Sequence, residues 1–328
     1  MENVRLIYEQ IEEARKYLSS GSLLQLRLAL ILLDNAIELM MWRELENEFA
    51  RYDHWEPKWE PARTEWIQAG LGPKYTPEER KDAEREFEPK ARILGFRLGR
   101  ISQNERTIIT VCHKLRCGAF HKGHLRREIL SPVCTLLYLT CAALTTTLGA
   151  QGFVIHPLSE EDRTFLARFG ISDPSLLATD QGTNQLHRKL IEGVSMDTAE
   201  LADTLSADLV ARLDSIVDGL AYVGGTDDES KIDYNLQHTE FWRERGAELA
   251  KQGLRGQSLD RAFEEWKLAG RAEYTLSKLK KWREHSVHVA RSRNPAGALA
   301  CYWALESKFR TLEAGVQEAV ARFDVENG

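Results

Sequence analysis

From Arg106 to Arg127 the sequence RTIITVCHKLRCGAFHKGHLRR runs for 22 residues without an acid. It carries Lys114, Arg116, Lys122, Arg126 and Arg127, and among them His113, His121 and His124. The chain as a whole has a net charge of -6, so this run is a local reversal of sign. A concentrated cationic stretch in an acidic chain suits a phosphate-bearing ligand, while bulk coating of nucleic acid is excluded by the overall charge. Imidazole exchanges protons near neutrality, and neighbouring cations can hold a phosphodiester against it. His113, Lys114, Lys122, His124, Arg126 and Arg127 are therefore candidate phosphate contacts. The bland alternative is a solvated helix face, the usual fate of a charge cluster.

An arginine followed by a histidine after four to six residues occurs at Arg106/His113, Arg116/His121 and Arg283/His288. Only the second pair combines a place in the basic run with glycines flanking its histidine and apolar helical sequence on either side. The stretch HKLRCGAFHKG resembles the R-x4-6-H motif of HEPN domains, the helical bundles of many toxins, phage-defence proteins and RNA-guided ribonucleases. The earlier segment LRLALILLDNAIELMMWRELE resembles the apolar helix with embedded acids or amides that precedes the motif in that family. The resemblance spans about residues 1–150. It implies a HEPN-like helical bundle acting as a metal-independent RNA endonuclease of toxin or phage-defence type, leaving 2′,3′-cyclic phosphate ends. Arg116 and His121 fall on the catalytic arginine and histidine, and no cofactor is implied. The position after the arginine, usually asparagine, aspartate or histidine in the family, is Cys117 here. Cys117 and the polar interruptions Asp34, Asn35 and Glu38 are the supporting candidates. A homodimer is expected, with an antitoxin or defence-system protein as a further partner. The alternative is a non-catalytic helical module that binds RNA, a nucleotide or a protein through a degenerate motif.

Five residues along a straight helix rotate by about 140°, so Arg116 and His121 do not share a face unless the helix breaks. Gly118 offers such a break; otherwise two motifs meet across a two-fold axis. His113, Cys117, His121 and His124 follow a helical stripe that suits zinc by residue type. The nearby cations and the absence of acids argue against a metal there. No phosphate-binding glycine loop, nucleophile elbow or H-E-x-x-H appears.

The elements that position these residues read as helices throughout, which predicts an all-α fold. Residues 2–19 and 22–52 form two helices, the second apolar almost all round and hence central. A Trp/Pro-rich arm, 53–75, is expected to pack its tryptophans on the bundle. Thr76-Pro77-Glu78-Glu79 is a helix start. Helix then runs to about Leu115, with breaks at Pro89, Gly95 and Gly99. Ile129–Gly149 contains no charge and long enough apolar sequence for a membrane span. The four threonines of its last ten residues, with Ser131 and Pro132, favour a helix buried in the bundle. A helical region follows over 151–222, with a loop around Asp180–Asn184. A linker at 223–233 and C-terminal helices over 234–328 complete the chain. Five cysteines without framework spacing, and an amphipathic helix at the start in place of a signal peptide, lead us to expect reduced thiols and a cytoplasmic location, with no membrane partner.

Overall fold

A computed structural model describes residues 2–122, 127–148, 159–171, 179–253 and 256–327, and these fold as helices joined by turns with no strand among them. The chain divides into two compact units. The first comprises 1–201 with 295–300, and the second 202–294 with 301–328.

The first unit is built around α2 (Leu23–Trp55), which packs on α1 (Glu2–Ser20). It also contacts α5 (Phe87–Arg92), α6 (Gln103–Lys122) and α7 (Arg127–Thr147). Its centrality follows from composition: Leu26, Ala29, Leu33, Met41 and Leu45 are all completely buried. These residues share one broad face, about 160° wide, while Leu24, Leu28 and Leu39 on the opposite side are exposed, so α2 is covered less fully than its all-round apolar sequence predicts. Ser22 caps its start by accepting from Gln25 N–H.

The uncharged stretch is α7, and 67% of its most apolar window is buried inside the bundle. Its threonines are satisfied internally. Thr140, Thr145 and Thr146 donate to the carbonyls of Leu136, Ala142 and Ala143 at 2.7–2.9 Å. That bonding lets hydroxyls enter an apolar core without loss. Tyr138 of α7 donates to Leu190 O of α9 (Asp180–Ile191) at 2.6 Å, and burial pushes its phenol up to about 12. Arg15 of α1 donates to the Leu190 and Glu192 carbonyls, covering the orphan acceptors at the end of α9.

Between α2 and α6 the chain forms α3 (Glu60–Gln68), α4 (Pro77–Arg85), α5 and a π-helical turn, Ile93–Arg97. The helix start at Thr76 is a full capping box, with Thr76 Oγ1 accepting from Glu79 N–H and Glu79 accepting from Thr76 N–H. The π turn closes at Gly99, whose φ of +64° is left-handed. Gly95 lets α6 approach, since a Cβ there would stand 3.1 Å from Arg106 Cδ.

Three features differ from the sequence reading. Trp55 and Trp59 are exposed, at 68% and 70%, and only Trp66 of the arm's tryptophans is half-buried, edge-on to Tyr52. Trp55 is the last residue of α2 and Trp59 the N-cap of α3, and both rings stay in solvent. The loop around Asp180–Asn184 is instead the first turn of α9, capped by Thr179. The linker at 223–233 is mostly helix. Helix α10 (Thr198–Gly224) ends there, and α11 (Glu229–Gln252) begins after a turn whose Asp228 accepts from Ser230 N–H. The glycines and acids that suggested a linker are a helix stop and a helix start in close succession.

The second unit holds most of α10, α11, α12 (Gln257–Leu268), α13 (Leu276–Val289) and most of α14 (Pro295–Asn327). Arg212 of α10 is its polar centre, pairing with Glu306 and Glu313 of α14 and with Asp208. Burial opposes the charge, but hydrogen bonding to Glu313 and the surrounding acids outweigh it and hold the guanidinium firmly protonated. Phe241, Leu249, Phe263 and Trp266 form a separate apolar cluster between α11 and α12.

Candidate functional site

Asp34 is the one acid in the apolar run Leu28–Ile37, and it is 1% exposed. A carboxylate at that depth requires partners, because desolvating it alone costs several kcal/mol. Helix α6 supplies them. His113 Nδ1 lies 3.1 Å from both Asp34 oxygens, and Arg116 Nε lies 3.3 Å from Oδ2. His113 and Arg116 are three residues apart, so both fall on the face of α6 turned toward α2. From α5, Phe87 stacks on the imidazole with ring centroids 4.0 Å apart and planes 10° from parallel. Three helices thus fix one histidine.

An ionised carboxylate only accepts, so Nδ1 of His113 is the donor toward Asp34, and Nε2 faces the opposite edge. Nε2 stands 3.8 Å from Cys117 Sγ, and the same sulfur is 3.9 Å from Arg116 Nη1. Arg116 Nε is buried without an aligned hydrogen-bond acceptor, so its link to Asp34 is an ion pair of loose geometry. The side chains of His113 and Arg116 remain 24% and 33% exposed. An anchored imidazole and a guanidinium therefore reach the surface side by side, over a buried counter-charge.

The other sequence candidates are distributed unevenly. His121 lies in the last turn of α6, but its side chain, with those of Lys122, His124, Arg126 and Arg127, lies outside the described residues. The break offered by Gly118 does not occur: α6 is continuous from Gln103 to Lys122. A single interior glycine weakens a helix by only about 1 kcal/mol, too little to interrupt one packed in a bundle. Arg116 and His121 therefore stay about 140° apart around the helix axis. Lys114 pairs with Glu88 at 3.6 Å near the surface. Asn35 donates to Gln10 of α1 at 2.8 Å, and Glu38 accepts from the buried Lys90 of α5 at 2.9 Å. Of the three polar interruptions in α2, Asp34 is the one joined to the motif.

Sequence reasoning did not find the anchoring of His113, nor the part played by Phe87. The three-residue spacing from His113 to Arg116 was a usable signal. Nothing local marks Phe87, whose ring meets His113 only because α5 crosses α6.

The thiols separate into two kinds. Cys112, Cys134 and Cys141 are fully buried, and burial pushes all three thiols well above their ordinary range. Cys117 is half-buried and Cys301 exposed. Among the described residues no group of three histidine, cysteine or acidic side chains is arranged to hold a metal ion. No family model, curated protein or solved structure matches this chain.

Proposed function

We propose that the first unit is a metal-independent RNA endonuclease whose site is the Asp34–His113–Arg116 constellation on α2 and α6, working with His121. The observation that carries this reading is the buried carboxylate in contact with a histidine directly beside a part-exposed arginine. His113 Nε2 takes the proton of a ribose 2′-hydroxyl as that oxygen attacks the adjacent phosphorus. The P–O5′ bond breaks, His121 protonates the leaving oxygen, and the product ends in a 2′,3′-cyclic phosphate. Arg116 stabilises the charge on the pentacovalent phosphate, a task its fixed fork of donors suits. The basic residues around the end of α6 hold the flanking backbone. The proposal extends to a cytoplasmic homodimer of toxin or phage-defence type, restrained by a partner protein.

The family resemblance by itself implies the acid–base role for His121 alone. Helix continuity through Gly118 is the reason for giving His113 a share, since His113 is the described histidine on the Arg116 face.

The test is incubation of wild type and the variants His113→Asn, His121→Ala, Arg116→Ala and Asp34→Asn with total tRNA and a mixed RNA pool in EDTA. We expect cyclic-phosphate fragments from wild type, and a loss of about 10²–10⁴-fold for each histidine variant, the usual weight of acid–base catalysis. Asp34→Asn removes the charge and one of the two acceptor oxygens that His113 and Arg116 share, and should lose activity without loss of fold. Cleavage unchanged in His113→Asn would return the role to His121. A second reading, a binding module without catalysis, is favoured by Cys117 at the position after the arginine. It takes over if wild type binds RNA but cuts none, with or without added divalent metal.

A further inference from the structure

Asp34, His113 and Cys117 form a chain of acid, imidazole and thiol that the RNA reading leaves without a use for the sulfur. Nδ1 faces Asp34, so in the neutral ring Nε2, 3.8 Å from Sγ, is placed to accept the thiol proton. Phe87 stacking prevents the ring from swinging away. Arg116 Nη1, 3.9 Å from the sulfur, provides a cation next to any anionic reagent that approaches it. Surroundings of this kind, part-exposed with an imidazole and a guanidinium in contact, distinguish reactive cysteines from inert buried ones. The three fully buried thiols of the same unit are the inert kind.

We propose that Cys117 is a thiol-exchange site, modified reversibly by anionic low-molecular-weight disulfides. The Cys117 S–H proton passes to His113 Nε2, and the sulfur attacks one sulfur of the disulfide. The reagent's S–S bond breaks as the new one forms. The departing thiolate collects the proton from His113 and leaves as a free thiol, so Cys117 is oxidised and one reagent sulfur is reduced. Excess thiol reverses each step. The adduct places bulk and negative charge against Arg116. Resting on the function proposed above, this makes the modification an off-switch for phosphodiester binding at the same site.

The experiment treats the full-length protein with glutathione disulfide and, in parallel, with the neutral 2-hydroxyethyl disulfide. Site occupancy is followed by peptide mass spectrometry. Cys301 is the internal reference, because it is the more exposed thiol. We expect Cys117 to react with glutathione disulfide at least ~10-fold faster than Cys301, as a proton acceptor and adjacent cation predict. The preference should shrink with the neutral reagent. His113→Gln and, as a second probe of the same chain, Asp34→Asn should slow Cys117 and leave the Cys301 rate unchanged. Equal rates at the two cysteines, or a Cys117 rate indifferent to both substitutions, would overturn the proposal. The switch is read separately as RNA binding before and after adduct formation, and again after reduction. Fast modification with RNA binding unaffected removes the switch and keeps the site. Fast modification of a protein that never binds RNA refutes the ribonuclease reading and leaves the thiol chemistry standing.

Discussion

The side chains around the site show how a single buried charge can organise its neighbours. Asp34 acts through geometry, since one carboxylate holds a ring nitrogen on one side and a guanidinium on the other. A contrasting case lies three turns along α2. Glu44 is 3% exposed, and burial raises its pKa above the ordinary value of 4.5, with Arg100 at 3.4 Å offsetting part of the effect and Glu48 adding to it. The folded state therefore holds this proton more tightly than the unfolded chain does. Its stabilising contribution is complete below pH 4.5 and is lost as pH rises through the folded pKa. Urea midpoints at about pH 5 and about pH 7 check this: the drop between them should be smaller in Glu44→Gln than in wild type. An equal or larger drop in the variant would mean that Arg100 compensates the charge fully.

At the level of elements, helices approach one another only as closely as the residues between them permit. In the second unit, a Cβ on Gly219 of α10 would stand 2.6 Å from Val316 Cγ1 of α14. Gly118 of α6 has nothing within 4 Å of the same added atom. Gly219→Ala should therefore cost about 1–3 kcal/mol by overpacking. Gly118→Ala should be neutral or stabilise by up to about 1 kcal/mol through helix propensity. Thermal or urea unfolding of the two variants separates the cases. If Gly118→Ala proves strongly destabilising, the unbroken α6 is wrong, and with it the angular separation of Arg116 and His121.

That separation becomes a question about the whole molecule. With about 140° between them on one continuous helix, Arg116 and His121 of one chain face different directions. Two copies related by a two-fold axis would bring one chain's arginine to the other's histidine. Mixed dimers of Arg116→Ala and His121→Ala should then regain cleavage that neither variant shows alone, since one of the two composite sites is intact. RNA fragment yield against mixing ratio is the measurement, with sedimentation reporting the dimer. No recovery in mixtures that demonstrably exchange subunits would place both groups in one chain's site, or remove His121 from it.

The sequence by itself determined that the chain is helical. Period-3.6 patterning, the cap at Thr76 and the glycine stops are local properties, and the helices formed where those signals stood. It also marked α2 as central and α7 as buried, because such apolar stretches need packed neighbours, although α2 leaves Leu24, Leu28 and Leu39 exposed. It singled out the basic run and Arg116 within it. Only the tertiary structure decided which polar residue of α2 meets the motif. Asp34, Asn35 and Glu38 are alike in sequence, yet they face α6, α1 and α5 respectively, and rotation about a helix axis is fixed by neighbours that are distant in the chain. The same applies to Phe87 against His113 and to Trp55 and Trp59, which composition suggested would be covered and which the arm leaves exposed. Local sequence sets helix type and ends through short-range hydrogen bonds and torsions. The facing of side chains comes from packing between helices, which no single segment encodes.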